Sequence, residues 1–329
     1  MRWKGIDVLV TGAGGFIGSH LVERLLVAGA RVRALVRYNS MNDWHLLREI
    51  PAELLSRATV LEGDVRDPFF VRRACDGTDT VFHLAATISI PHSYQAPIDF
   101  VDTNVLGTAN VLSAALECRC RRIICTSTSE VYGTAVTRPM DENHRLHPQS
   151  PYAASKVGAD MLALSYYDSF DAPVIVVRPF NTYGPRQSAR AIIPAILSQL
   201  IGGATVRIGD VSTKRDFTCV FDTVEGFLAA ARSADGVGQV INLGSQRPVS
   251  IKQLIGLAGK VVGRKPRIVT DRQRIRPDKS EVRVLHADAG RARTLIGWES
   301  RIPLEDGLKQ TYDYIKSRVD RYRPGEYLR

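Results

Sequence analysis

The feature that most constrains the fold is a short apolar run followed at once by a glycine-rich turn near the start of the chain. Residues 6–11 suit a strand buried on both faces, and apolar residues recur at helical spacing from Leu21 to Leu26. Glycines between a strand and a helix let the backbone approach a pyrophosphate, which the helix N-terminus favours. The sequence therefore predicts a dinucleotide-binding loop made of Gly12, Gly14, Gly15, Phe16, Ile17 and Gly18.

Further apolar runs alternate with helical patterns along the first half of the chain. The predicted strands cover 31–36, 58–61, 80–83, 122–126 and 173–177, and the clearest helices cover 104–116 and 152–169. Repeated strand–helix alternation is typical of a doubly wound parallel sheet, so we expect an α/β Rossmann fold. After Pro179 the rhythm changes. We expect residues 1–179 with about 217–244 to bind NAD(P), and 180–216 with 245–329 to form a smaller mixed α/β substrate domain.

Composition limits the partners that such a chain can take. The 329 residues carry a net charge of +10, and the segment 264–279 alone has seven cations against two acids. This balance favours an anionic partner. Because no nucleic-acid-binding motif accompanies it, we expect a phosphorylated small molecule and no nucleic acid.

Location and metal content follow from three further features. No apolar stretch approaches 18 residues, so we expect no membrane span. The first residues lack a signal-peptide pattern, which favours the cytoplasm. The five cysteines have no zinc-ligand spacing, and we expect reduced thiols and no metal.

The end of the second predicted strand bears on the choice of dinucleotide. A carboxylate there would bind the ribose of NAD, whereas an arginine accommodates the 2′-phosphate of NADP. This chain has Arg37 and no carboxylate in the segment 36–40, which slightly favours NADP and leaves NAD open. Asp64 and Val65, just after the third strand, are expected to meet the adenine.

Two clusters of reactive side chains suggest an active site. Tyr152 and Lys156 lie four residues apart at the start of a predicted helix and share a face. A nearby ammonium favours the phenolate, so we expect a lowered pKa and a base usable near neutrality. Thr128 follows a predicted strand, at the sheet edge where such folds bind ligands.

Together these motifs resemble the extended short-chain dehydrogenase/reductase family, in its branch that modifies nucleotide sugars. The resemblance also covers Leu84-Ala85-Ala86, Asn104 and the segment 178–185. It implies that Thr128 orients a sugar hydroxyl, that Tyr152 is the base and that Lys156 tunes it. It further implies tightly bound NAD(P)+, bordered by Leu84, Ala85, Ala86 and Asn104.

Ser129 and Glu130 decide between reactions within this branch. The resemblance implies that dehydratases use the glutamate to remove the C5 proton, whereas simple 4-epimerases usually lack it. UDP-glucuronate decarboxylases also keep a Ser-Glu pair. The segments 35–40, 186–194 and 274–281 resemble the UDP- or GDP-N-acetylglucosamine 4,6-dehydratases of legionaminic-acid-type pathways. We therefore expect a dehydratase, with decarboxylase, epimerase and regulatory dinucleotide-binding protein as alternatives.

The same resemblance implies a nucleotide-diphosphate-sugar site and a mode of assembly. Diphosphates need cations and amides aimed at them. The expected substrate residues are Asn181, Ile193, Pro194, Arg215 and Arg276. Members of the family commonly form homodimers through a four-helix bundle, which here would use the helices at 104–116 and 152–169.

Overall fold

The computed structural model describes residues 3–275 and 277–322, and twelve strands lie within them. In chain order these are β1 (Asp7–Thr11), β2 (Arg31–Arg37), β3 (Thr59–Gly63), β4 (Thr80–His83), β5 (Arg122–Thr126), β6 (Val174–Pro179), β7 (Asn181–Tyr183), β8 (Thr205–Ile208), β9 (Lys214–Cys219), β10 (Val240–Leu243), β11 (Pro248–Ser250) and β12 (Arg267–Thr270). Seven of them form one sheet, in the order β10-β6-β5-β4-β1-β2-β3. Every neighbouring pair in this sheet is parallel, which confirms the predicted Rossmann fold.

Helices cover both faces of this sheet. The helices of the described residues are α1 (Phe16–Val27), α2 (Ala52–Leu55), α3 (Pro68–Cys75), α4 (Ile90–Ser93), α5 (Pro97–Val101), α6 (Gly107–Glu117), α7 (Pro151–Phe170), α8 (Ile192–Gly202), α9 (Val220–Arg232), α10 (Ile251–Val262), α11 (Gly290–Ile296), α12 (Leu304–Lys316) and α13 (Val319–Tyr322). Short 3-10 turns occur at His45–Glu49, Ser129–Tyr132, Arg272–Arg274 and Asp278–Ser280. The predicted helix at 104–116 begins as a π-helical turn, Asp102–Leu106, before α6.

The sheet separates two hydrophobic cores. Val8 and Val10 of β1 pack on one face with residues of α1 and α9, whereas Leu9 points to the other face with residues of α3, α6 and α7. All three side chains are fully buried. This explains why β1 reads as a continuous apolar run rather than an alternating one.

The order of the strands creates a crevice at one edge of the sheet. After β1 the chain continues to β2 on one side, while β4 lies on the other side. Ligands of open α/β sheets bind at such a switch point, outside the carboxyl ends of the strands. The glycine-rich turn after β1 and the segments after β4 and β5 all meet there.

The remaining strands form two small sheets, β11-β9-β7 and β12-β8. Their core contains apolar residues of α8, α10 and α12. β9 crosses the boundary predicted at 217, β10 joins the large sheet, and α11 packs on α9 and β10. The predicted division into two domains stays a prediction.

Three observations concern the membrane, metals and thiols. Within residues 3–275 and 277–322, no helix has the length and apolarity needed to cross a bilayer. The same ranges contain no group of three or more His, Cys, Asp or Glu side chains that could hold a metal ion. All five cysteines are free thiols.

Candidate active site

A cavity of about 1020 Å³ lies at the carboxyl ends of the parallel strands. Its walls come from the glycine-rich turn, the end of β2, the segment after β4, the strand end and 3-10 turn after β5, the start of α7 and residues 179–182. Its place at the switch point makes it the site that the fold favours for a dinucleotide.

The glycine-rich turn lies in close contact with neighbouring backbone segments. Gly12 has a positive φ of 68°, and a Cβ there would lie 2.7 Å from the backbone nitrogen of Ala85. A Cβ on Gly18 would collide with the carbonyl oxygen of Gly12. Helix α1 starts after Gly15 with no side chain capping its first amides, so these amides can receive an anion. All six predicted loop residues line the cavity, and this cradle fits a dinucleotide.

The end of β2 contributes charged side chains to the same cavity. Arg37 lines it with two thirds of its side chain exposed, 3.9 Å from the carboxylate of Asp64. Asp64 also forms an ion pair of 2.6 Å with Arg66, and that arginine lowers the pKa of the carboxyl. Neither Asp64 nor Val65 lines the cavity. The cavity is also lined by Asp43, His45 and Arg48, which were not predicted from the sequence.

The segment after β4 is held by a chain of buried hydrogen bonds. Nδ1 of His83 lies 2.8 Å from the Thr11 hydroxyl, which accepts from the amide of Ala85 at 3.1 Å. Nε2 of His83 lies 3.0 Å from the hydroxyl of Thr108. Burial lowers the pKa of His83 to about 3, so the ring is neutral. Leu84 and Ala86 line the cavity, whereas Ala85 serves this backbone contact.

Asn104 has a supporting place rather than a lining one. Its side chain is fully buried and does not reach the cavity wall. Its Oδ1 accepts from the amide of Thr87 at 2.8 Å, and its Nδ2 donates to Ser155 at 2.9 Å. Asn104 therefore ties the segment after β4 to helix α7.

The five predicted catalytic residues all line the cavity: Thr128, Ser129, Glu130, Tyr152 and Lys156. Thr128 caps the 3-10 turn that carries the next two, and its hydroxyl accepts from the amide of Glu130 at 3.3 Å. Helix α7 starts with Ser150, which accepts from the amide of Ala153, followed by Pro151. This N-cap sets Tyr152 and Lys156 on the first turns of the helix, facing the strand ends.

The expected lowering of the Tyr152 pKa was wrong for the protein alone. Burial raises the pKa of Tyr152 to about 12; the hydrogen bond with Thr128 opposes the rise, and the charges of Glu130 and Asp160 add to it. Nζ of Lys156 donates to the carbonyl of Thr126 at 2.5 Å, and burial lowers its own pKa. Desolvation has the largest effect on the phenol.

One of the predicted substrate residues lines the cavity, and three others are buried away from it. Asn181 lines the cavity, and among the described residues its buried Oδ1 has no hydrogen-bond partner. Ile193 is 1% exposed and packs with apolar side chains of α8, and Pro194 beside it is buried. Arg215 is buried in β9 and donates to Glu281 at 2.9 Å. These last three do not line the cavity, and Arg276 lies outside the described residues.

Several further residues line the cavity although no sequence motif pointed to them. They are Ile88, Ser89 and Ile90 after β4, Thr182 and Gln187 after β6, and Arg321 in α13. Gln187 donates through Nε2 to the carbonyl of Thr182 at 2.9 Å, and its buried Oε1 has no protein partner. Only tertiary structure brings α13 to the cavity.

The sequence matches the GDP-mannose 4,6-dehydratase family over residues 9–311. The chain belongs to that family. The UDP-glucose 4-epimerase of Mycolicibacterium smegmatis is 33% identical over 94% of this chain and 98% of its own length. The UDP-glucuronic acid decarboxylase 1 of Xenopus tropicalis is 30% identical over 98% of this chain and 75% of that protein.

Solved structures agree with this family membership. A double mutant of DesIV, the dTDP-glucose 4,6-dehydratase of Streptomyces venezuelae, was solved with NAD and DAU bound. It superposes with a TM-score of 0.85 at 28% identity, over 96% of this chain and 98% of that one. The relatives thus include enzymes named for three different reactions, and the cavity residues must distinguish them.

Proposed function

We propose that the protein is a nucleotide-sugar 4,6-dehydratase, a hydro-lyase that converts UDP- or GDP-N-acetylglucosamine to the 4-keto-6-deoxy sugar. The observation that carries this proposal is the presence of Glu130 in the same cavity wall as Thr128 and Tyr152. A 4-epimerase needs only to oxidise C4 and reduce it from the other face. A carboxylate beside the base is useful when a second proton must be removed.

The residues divide the reaction between them. Bound NAD(P)+ supplies a hydride acceptor for C4 and, once reduced, a hydride donor for C6. The Tyr152 oxygen takes the proton of the C4 hydroxyl, which Thr128 orients through its own hydroxyl. Glu130 removes the proton at C5, which the 4-keto group has made acidic, and the C6 hydroxyl leaves as water with the proton that Tyr152 took from C4, delivered by way of Ser129. A hydride at C6 and a proton at C5 complete the product, with the net loss of one water.

The position of the arginines favours dehydration over decarboxylation. A uronate decarboxylase needs a cation to hold the sugar carboxylate. The arginines among the described lining residues are Arg37, Arg48 and Arg321. Arg37 ends β2, Arg48 lies in the following 3-10 turn, and Arg321 of α13 forms an ion pair with Glu49. None of these three arginines comes from the elements that carry Glu130 and Tyr152, so we propose decarboxylase as the second candidate.

The hexosamine specificity rests on the resemblance of the segments 35–40, 186–194 and 274–281 to N-acetylhexosamine dehydratases. Ser129 is consistent with it, because that group also carries Ser-Glu. A regulatory dinucleotide-binding protein has no need of Thr128, Tyr152 and Lys156 together, and all three line the cavity here.

The Glu130→Gln variant tests the role of the carboxylate. We expect it to oxidise C4 and then stop, so that reduced cofactor accumulates on the enzyme while no 4-keto-6-deoxy sugar forms. Absorbance of the reduced nicotinamide and the mass of the sugar report the two steps separately. Ser129→Ala, a change on the same turn, is expected to slow water loss without abolishing it. Turnover at the wild-type rate in Glu130→Gln would favour a 4-epimerase instead.

We also propose that NADP+ is the preferred cofactor, although the solved relative contains NAD. Arg37 and Arg48 line the cavity with exposed side chains and suit a 2′-phosphate. Asp43 lies 3.3 Å from Arg48 and is the residue that would favour NAD+. Mass analysis of the nucleotide released on denaturation tests this directly. Arg37→Ala is expected to weaken NADP+ more than NAD+; an equal effect on both would contradict the assignment.

A homodimer is the proposed assembly. Helix α5, the π-helical turn and α7 pack together and expose apolar side chains: Ile98, Val101, Leu106, Met161 and Phe170. Light scattering should give the mass of two chains, and a Leu106→Glu, Met161→Glu double variant should give one. Phe69→Glu, an exposed apolar residue on α3, is the matched control and should leave the mass unchanged.

We propose that the protein is located in the cytoplasm. The five cysteines form no disulfide, as expected of a protein in a reducing compartment. Fractionation of the native host, with detection by antibody, tests this location.

A further inference from the structure

A buried ion pair lies directly behind the catalytic residues. Asp160, one helical turn after Lys156, and Arg178, near the end of β6, are each 2% exposed. Oδ2 of Asp160 lies 2.9 Å from Nη2 and 3.0 Å from Nε of the arginine. The same oxygen accepts a hydrogen bond of 2.8 Å from the hydroxyl of Ser127. Neither charged group lines the cavity.

The network continues through the arginine to the far edge of the sheet. Nη1 of Arg178 donates to the hydroxyl of Tyr132 at 2.9 Å, and the guanidinium carbon lies 4.9 Å from that ring's centroid. The Tyr132 hydroxyl in turn donates to Oδ1 of Asn242 in β10 at 2.8 Å. One set of buried contacts therefore joins α7, the end of β5, the following 3-10 turn, β6 and β10.

Three members of this network are neighbours of residues with a proposed role. Ser127 precedes Thr128, Asp160 shares a helix face with Lys156, and Arg178 precedes the lining segment 179–182. A buried pair with this many hydrogen bonds tolerates little displacement, because any unpaired charge would be costly. The pair thus fixes the three segments relative to one another.

Asp160 also acts on its neighbours through its charge. Burial raises the pKa of the Asp160 carboxyl, and Arg178, Ser127 and Lys156 oppose that rise. Burial lowers the pKa of Lys156, whereas the Asp160 carboxylate favours its ammonium form. The same carboxylate raises the pKa of Tyr152.

The other groups facing Tyr152 and Lys156 are few among the described residues. Glu130 adds negative charge beside Tyr152. Burial raises the pKa of the Cys125 thiol to about 12 and lowers that of His83 to about 3, so both are neutral near pH 7. Asp160 and Arg178 are therefore the charged pair that can be altered without touching the cavity wall.

We propose that the Asp160–Arg178 pair is a positioning element of the reaction: it holds the Ser127 strand end against α7, and its carboxylate stabilises the Lys156 ammonium. This inference rests on the proposed function. It means that two residues outside the cavity set the pH range in which Tyr152 and Lys156 act.

Charge-changing variants of the holoenzyme test the proposal through the pH dependence of its first step. With UDP- or GDP-N-acetylglucosamine, whichever the wild type turns over, reduction of bound cofactor is followed across pH. Asp160→Asn removes a negative charge, which lowers the pKa of both neighbours and moves the whole profile down by about one pH unit. Arg178→Met leaves the Asp160 carboxyl without its cation and favours the protonated acid, so the profile moves in the same direction. The Asp160→Asn, Arg178→Met double variant has no carboxylate left to protonate, and its profile matches that of Asp160→Asn to within about 0.3 pH units.

A matched control separates this effect from a loss of stability. Asp222→Asn removes another buried carboxylate, which does not line the cavity and whose Oδ2 accepts from Ser300 and from two backbone amides. It should lower the melting temperature without moving the profile. Coincident profiles for Asp160→Asn and wild type would overturn the electrostatic part of the proposal. Should that variant not fold, Arg178→Met and the double variant decide the same point.

Ser127→Ala tests the positioning part without changing any charge. We expect a lower kcat, an unchanged KM and an unmoved pH profile; a wild-type kcat would overturn this part. If neither sugar turns over, the proposed function fails while this inference can still be measured. Tyrosinate absorbance of each variant, minus that of the same variant carrying Tyr152→Phe, then gives the ionisation of Tyr152 directly.

Discussion

Tyr152 shows how burial and catalysis make opposite demands on one side chain. Its ring lies between Phe100, 6.1 Å away in an edge contact, and the wall formed by Thr128 and Glu130. Burial raises its pKa to about 12, so little phenolate exists near pH 7. Its usefulness as a base depends on positive charge brought close to it, and Lys156 is the described cation on the same helix face.

Replacement of Tyr152 by Phe tests this role without changing the shape of the wall. We expect the rate of C4 oxidation to fall by about 10²–10⁴-fold, because only the proton-accepting oxygen is lost. Binding of the nucleotide sugar, measured by calorimetry, should be nearly unchanged. Tyr94→Phe, which alters an exposed tyrosine that contacts Ser280, is the control. Oxidation at the full rate in Tyr152→Phe would remove the residue from the mechanism.

Where chemistry is tied to local spacing, the residues predicted from the sequence lie together at the cavity. Tyr152, Lys156 and Glu130 each follow a strand or helix signal, and all of them reach the cavity. Ile193 carried only an apolar signal, which cannot separate a pocket wall from a core, and it packs in the core of the small sheets. Gln187 and Arg321 meet the cavity through tertiary contacts that no local pattern encodes.

The segment after β4 owes its shape to side chains from other elements. Asn104 holds Thr87 through two hydrogen bonds and α7 through one. Since Ile88, Ser89 and Ile90 line the cavity next to that anchor, this part of the cavity wall depends on Asn104, which does not itself line the cavity.

Asn104→Ala should loosen that wall and destabilise the fold at the same time. Loss of a buried amide that makes three hydrogen bonds costs about 1–3 kcal/mol in the free energy of unfolding. We expect KM for the sugar to rise more than kcat falls, because the wall becomes mobile while the base stays in place. Ser113→Ala, which removes one contact between α6 and α7 to Tyr166, should destabilise without the change in KM. Equal KM values in the two variants would contradict the anchoring role.

At the level of elements, strands with apolar sequences were predicted, whereas a charged strand and a short one were missed. β4 and β5 have the bounds that their apolar runs predicted. β9 was missed because its sequence, Lys214–Cys219, is charged, and only pairing such as Arg215 with Glu281 lets it be buried. β10 is a short seventh strand whose partner, β6, lies some sixty residues earlier, so no local periodicity could place it.

At the scale of the whole molecule, two cores on either side of one parallel sheet hold the site at its switch point. The glycine-rich turn follows β1, Tyr152 lies on α7 and Glu130 lies on the 3-10 turn after β5. These three elements belong to different parts of the fold. The Asp160–Arg178 pair links α7 to the end of β5 through Ser127. The fold thus explains why most predicted residues of the first half of the chain line the cavity, while Ile193, Pro194 and Arg215 of the second half do not.

The identity of the product tests the central claim most directly. The purified protein is incubated with UDP-N-acetylglucosamine, GDP-N-acetylglucosamine and UDP-glucuronate in turn, with no cofactor added, and the sugar nucleotides are analysed by mass spectrometry. We predict the loss of one water from a hexosamine nucleotide, sustained by cofactor that stays bound and is recycled. Loss of carbon dioxide from the uronate, with the hexosamine nucleotides unchanged, would contradict the account and make Ser129 and Glu130 a decarboxylase pair.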